Sequence, residues 1–175
     1  MHAHMTATEI FGRLSAEQSG EVLNWFAEND RPAYKSCAAM LATRRKLRPV
    51  YVERKPRDEK NLWIKESLAR PGNADLALEL LQVWTLGCNE KMVCEFLDAL
   101  AIPHNGKGLI DDLPVEPDGE RVAKAFGSLV GSYPASAVFV YLNLFTSMDA
   151  SGWPVLRGLL ESNPVLSGES VVPVR

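Results

Sequence analysis

The stretch 103–118 reads Pro-His-Asn-Gly-Lys-Gly-Leu-Ile-Asp-Asp-Leu-Pro-Val-Glu-Pro-Asp and holds the side chains best suited to chemistry. It gathers the only internal histidine, His104, with Lys107, Asp111, Asp112, Glu116 and Asp118. An imidazole among carboxylates is the set needed for proton transfer, or for binding a hard or borderline cation. The spacing follows no known ligand pattern. A calcium loop counted from Asn105 would need oxygen ligands where Lys107 and Leu109 stand. No second histidine or cysteine lies at zinc spacing. Gly106-Lys107-Gly108 is not a phosphate loop, because Ala101 replaces the earlier glycine and no hydroxyl follows the lysine. The structural alternative gives the same residues other work. Asp111 and Asp118 cap turns, the glycines supply positive φ, and His104 bonds a carbonyl at a helix end. No cofactor is expected, and no Gly-x-Ser-x-Gly or patterned Cys/His pair offers a nucleophile.

The second chemically distinctive stretch is basic. Of the fourteen residues 44–57, seven are Lys or Arg: Arg44, Arg45, Lys46, Arg48, Arg54, Lys55 and Arg57. With Tyr51 among them, the segment has the makings of a phosphate-binding stripe with one stacking aromatic. Three features oppose nucleic acid. The chain as a whole is acidic, with a formal net charge of −3. Glu53, Asp58 and Glu59 can neutralise the cations locally. Arg44, Arg45 and Lys46 end a helical pattern, where cations are favoured in any case. The prolines at 49 and 56 suggest an extended connector, and Val50-Tyr51-Val52 fits that reading. Extended backbone would point Arg54 and Lys55 in opposite directions and split the patch. The expected partner is a protein with an acidic surface, and specific nucleic-acid binding is not expected.

Charge is segregated along the chain. Residues 1–43 sum to −2, residues 44–70 to +6 and residues 71–175 to −7. Such a distribution can orient a charged partner on approach. Cys37, Cys88 and Cys94 are an odd number at no metal-ligand spacing and sit in apolar helical pattern. They read as small buried hydrophobes in a reducing compartment. The opening Met-His-Ala-His-Met lacks an apolar core, His2 and His4 are given no role, and the longest apolar run, 135–148, is shorter than a membrane span. A cytoplasmic location is therefore expected, with no membrane partner.

The elements that must position these residues are helical. Leucine outnumbers isoleucine 22 to 4, a bias toward γ-branched side chains that keep their rotamers in a helix. Apolar periodicity predicts nine helices. The first covers 6–14, and the second opens at Ser15 with Gln18 completing a capping box. The third runs from Pro32 to about 46, with Cys37, Met40 and Leu41 inward. The fourth follows Pro56 and buries Leu62, Trp63 or Ile64, and Leu68. The fifth is capped by Asn73, with Leu76, Leu80, Val83 and Trp84 inward, and ends at Gly87. The sixth is capped by Asn89, with Met92, Val93, Phe96, Leu97 and Leu100 inward. The seventh is capped by Asp118, with Val122, Phe126, Leu129 and Val130 inward. The eighth starts at Pro134 and is apolar almost all round, which makes it the expected centre of the core. The ninth starts at Ser151 and Pro154, with Val155, Leu156, Leu159 and Leu160 inward.

Sliding residues 76–96 onto 122–142 by 46 positions superposes two helix pairs, the period of a HEAT or armadillo unit. The reading is thus an all-α single domain over 1–164 of eight or nine short helices in antiparallel pairs, an irregular bundle, with a short HEAT/armadillo-like solenoid as the alternative. Residues 165–175, with Val171, Val172 and Val174, form a C-terminal tail. The favoured function is a non-enzymatic protein-interaction or scaffold domain. The alternatives are an acid–base or metal-dependent enzyme centred on His104, Lys107, Asp111 and Asp112, and nucleic-acid binding through residues 44–57.

Overall fold

The computed structural model describes residues 5–149, 152–164 and 166. Ser151, His2, His4 and the C-terminal tail lie outside them, Leu166 apart. Among the described residues there are ten α-helices, nine of them seven residues or longer, and no strand. The all-α class is as expected. The contacts group into two compact units, Thr6–Trp84 and the chain from Thr85 onward together with Met5.

In the first unit, α1 (Ala7–Arg13) and α2 (Ala16–Asn29) each open on a capping box, Thr6 with Glu9 and Ser15 with Gln18. Asp30 then does two jobs. Its N–H closes α2 on the Phe26 carbonyl, and its carboxylate accepts the Ala33 N–H to open α3 (Arg31–Arg44). Lys46, at φ 59°, ends α3 in a Schellman turn, with the Leu47 N–H on the Ala42 carbonyl at 2.8 Å and the Lys46 N–H on the Thr43 carbonyl at 3.0 Å. A five-residue helix follows, α4 (Pro49–Glu53), and then α5 (Arg57–Leu68). A 3₁₀ turn, Pro71–Asn73, leads into α6 (Ala74–Cys88). α5 packs against α1, α2 and α3 rather than its sequence neighbours alone. That arrangement is an irregular bundle, not the nearest-neighbour stacking of a solenoid. Ile10, Phe11, Val22, Leu23, Phe26, Leu41, Val52, Ile64 and Leu68 fill the core. A polar chain threads it: the Tyr34 hydroxyl donates to Asn61 Oδ1 at 2.7 Å, and Asn61 Nδ2 donates to Asn24 Oδ1 at 2.9 Å.

α4 corrects the expected extended connector. Pro49 occupies the first helical turn, where its missing N–H costs nothing and its φ is already helical. Val52 is fully buried. Its packing outweighs the poor intrinsic helicity of a Val-Tyr-Val run. Other corrections are local. Met40, Leu62 and Val83 face solvent at the edges of their stripes. Asn73 does not cap α6; its amide instead donates to the Ser67 carbonyl at 2.7 Å and its oxygen accepts from Arg44. α6 runs through Gly87 to Cys88.

The second unit holds α7 (Glu90–Ala99), α8 (Gly119–Ser132), α9 (Ala135–Ser147) and α10 (Pro154–Ser162). α8 packs on α7, α9 and α10, and α10 also on α9. α9 is the most buried helix, as its lack of a polar face requires. An aromatic cluster joins it to its neighbours: Phe96 meets Tyr141 and Phe145 edge-on at 5.6 and 5.4 Å, and Phe145 meets Trp153 at 4.9 Å. Arg157 brings a guanidinium to the C-terminal end of α9, donating to the Thr146 carbonyl at 2.6 Å. Asn89 and Asp118 occupy N-cap positions without side-chain cap bonds, and Val130 and Val155 face outward. The division between the two units falls within α6, between Trp84 and Thr85.

α7 ends in the same Schellman geometry as α3, but on Ala101 at φ 55°. Alanine in this conformation costs about 1–2 kcal/mol, and glycine adopts it freely. Ala101→Gly should therefore stabilise the protein by about 0.5–1 kcal/mol, after the larger unfolded-state entropy of glycine is deducted. A rise in the urea midpoint at constant m-value is the expected reading, and a fall would contradict the strain argument.

Candidate functional site

The helical turn of α4 rearranges the basic segment. Val52 points into the core, so Val50 and Tyr51 point out, 43% and 57% exposed. On a helix, residues three and four apart share a face, which places Arg48, Tyr51, Arg54 and Lys55 together. The patch that extended backbone would have split is gathered by α4. Lys55 Nζ lies 4.9 Å from the centre of the Tyr51 ring and covers it as a cation–π contact.

The seven cations have different environments. Arg44 turns away to grip Asp75 in a bidentate pair at 2.9 and 2.8 Å, with Asn73 Oδ1 also at 2.9 Å. The Arg44 guanidinium holds the Asp75 carboxyl down at about 2, so this pair persists until strong acid. Asp75 is depressed below its unfolded value, so its contribution is present above about pH 4 and is lost as pH falls through about 2. Arg45 lies over Trp63 at 5.3 Å. Arg57 lies over Tyr34 at 5.6 Å and donates to Asn24 at 3.4 Å, which ties it to the buried polar chain. Lys46, Arg48 and Arg54 are exposed, and no side-chain hydrogen bond or ion pair engages them among the described residues. The face thus presents two apolar side chains framed by free cations. Sequence reasoning missed Val50 as part of it, because Val50 becomes outward-facing only once α4 forms.

A cleft in the same unit has the opposite character. It measures about 150 Å³ and lies between α3 and α6 over the α2 residue Phe26. Its floor is Phe26, Cys37, Leu76 and Leu80, all buried, and its lips are Met40 and Val83, 42% and 41% exposed. Asp30 and Glu79 stand on its rim. Burial, with Glu79 adding to it, pushes the Cys37 thiol up to about 12, so this cysteine stays protonated. Cys37 is the buried cysteine expected, whereas Cys88 is exposed and Cys94 half-buried.

In the second unit, the stretch 103–118 is engaged in holding its own shape. His104 Nδ1 accepts the Gly106 N–H at 3.0 Å, which leaves Nε2 to donate to the Asp98 carboxylate at 2.8 Å. Asn105 Oδ1 accepts the Lys107 and Leu109 N–H groups at 2.9 and 3.1 Å. Both Glu116 oxygens cap α10, on the Val155 and Leu156 N–H groups at 3.1 Å each. The Trp153 indole N–H donates to the Pro114 carbonyl at 2.7 Å. Lys107, Asp111 and Asp112 are exposed and are not hydrogen-bonded to His104. No cluster of three or more potential metal-ligating side chains occurs among the described residues. Asp98, six residues before His104, and the capping role of Glu116 were not foreseen from spacing.

No helix among the described residues is long and apolar enough to cross a membrane. Comparison of the chain with protein-family models, curated proteins and solved structures gives no match.

Proposed function

We propose that this chain is a non-enzymatic protein-interaction module whose α4 face docks a partner with an acidic surface. The observation that carries the reading is the outward Val50–Tyr51 pair, framed by the unpartnered Lys46, Arg48 and Arg54. An exposed aromatic beside guanidinium groups has the composition of a protein-interface anchor. A phosphate track would need several cations free along one line. Here Arg44 is held by Asp75 and Arg57 is tied to Asn24 and Tyr34, while Glu53, Asp58 and Glu59 lie exposed beside them.

The test is fluorescence anisotropy with a labelled peptide alternating Asp or Glu with Leu or Phe, run beside duplex DNA and single-stranded RNA. Saturable peptide binding, weakened about tenfold or more by Tyr51→Ala and by Arg54→Glu, is the expected result. Tighter binding to either nucleic acid at ~150 mM salt, or peptide binding indifferent to both substitutions, would refute the reading.

A further inference from the structure

We propose that the acidic surface taken by α4 is the cleft between α3 and α6 of a second copy of this chain, so that copies associate patch into cleft. The inference rests on the α4 reading above and names its partner. Three features of the cleft match three features of the patch.

The first is size. The cleft, about 150 Å³, matches an engineered apolar cavity that holds one benzene ring. It therefore takes a single anchor, and Tyr51, the most exposed aromatic in its unit, presents one phenol ring. The second is polarity. The floor of Phe26, Cys37, Leu76 and Leu80 is apolar while Ser36, Asp30 and Glu79 are polar at the edge. A tyrosine has the same division, an apolar body and a polar tip. The third is charge. Glu79 is exposed with no hydrogen bond or ion pair, and Arg48 and Arg54 around Tyr51 are free in the same sense. Cation against carboxylate at the rim fixes orientation and partner choice, while the buried ring supplies the hold. Val50 then lies beside the exposed lips, Met40 and Val83.

Patch and cleft are different residue sets of one unit, so copies can make the contact twice about a two-fold axis or once each in an open row. The rim pairs are solvent-exposed, so association weakens as salt rises.

Sedimentation velocity of the full chain across a concentration series at low salt tests this. The weight-average mass should rise with concentration, levelling at a dimer where the contact is reciprocal and passing it where the row is open. Tyr51→Ala, which keeps the cleft, and Val83→Asp, which keeps the patch, should each sediment as monomers. Mixed together, they should form a one-to-one dimer and nothing larger, because each then has only one working surface. Met40→Glu replaces Val83→Asp if circular dichroism shows the latter to be misfolded. Glu79→Arg should abolish association, and Arg54→Glu added to it should restore it. A chain that stays monomeric throughout, or association unaffected by Tyr51→Ala or by Val83→Asp, would overturn the proposal. If the acidic peptide still binds a chain that never self-associates, the α4 reading stands and only the second copy is wrong as partner. If neither occurs, both fail.

Discussion

Phe96→Ala should lower the stability of the second unit by about 3–5 kcal/mol, the range for an aromatic deleted from a packed core. Phe96 is almost fully buried on α7 and meets Tyr141 and Phe145 of α9 edge-on. Its removal takes away the apolar area, two ring–ring contacts and the wedge that keeps α9 in place. Phe145 also packs on Trp153 at 4.9 Å, so the loss propagates toward the start of α10. Domains of this size are stable by only about 5–15 kcal/mol, so a large share of the total would disappear. Leu142→Ala, on the fully buried face of α9, should cost about 2–5 kcal/mol by the same cavity argument. Urea unfolding followed by tryptophan fluorescence and by circular dichroism reads both. A loss below about 1 kcal/mol at Phe96 would mean that the cluster relaxes freely and is not a close-packed core.

Gly108→Ala should be nearly as damaging, for a different reason. Gly108 sits at φ +91°, and an added Cβ would lie 2.5 Å from Val93 Cγ1 on α7. Backbone strain of about 1–2 kcal/mol and overlap of about 1–3 kcal/mol add, because no flexible side-chain end is there to move aside. Gly106 separates the two terms. It has a similar φ, +85°, but open space at its Cβ, so Gly106→Ala should show only the backbone cost. Combining Gly108→Ala with Val93→Ala should cost less than the sum of the two, since the overlap vanishes with the valine methyls. Strict additivity in that double-mutant cycle would rule out the overlap.

Signals confined to a few neighbouring residues were readable from the sequence. The Ser15–Gln18 capping box, the Asp30-Arg31-Pro32 corner and the all-round apolar α9 each appear as read. What escaped depended on residues distant in sequence. The β-branched run at 50–52 has no local reason to be helical; burial of Val52 against α3 supplies it. Glu116 looked like one carboxylate in an acidic loop, yet its two acceptors are residues 155 and 156. Periodicity marked Met40 and Val83 as inward because it locates a stripe without giving its width. Both stand at the stripe's edge, which is how they come to form the lips of the cleft. The seven cations were visible as a cluster, but which are engaged is set by Asp75, Trp63, Tyr34 and Asn24, none of them adjacent to the basic run.

A helix of five residues is far too short to persist in water by itself, since nucleation alone outweighs the few hydrogen bonds it makes. α4 exists because Val52 is seated in the folded unit. The proposed recognition surface is therefore conditional on tertiary structure: a synthetic peptide spanning 44–57 would lack the face and compete poorly with the intact protein. Linkage makes the relation reciprocal. Any partner that selects the α4 face selects the folded state, and so protects the first unit against unfolding by an amount that grows with the partner's concentration.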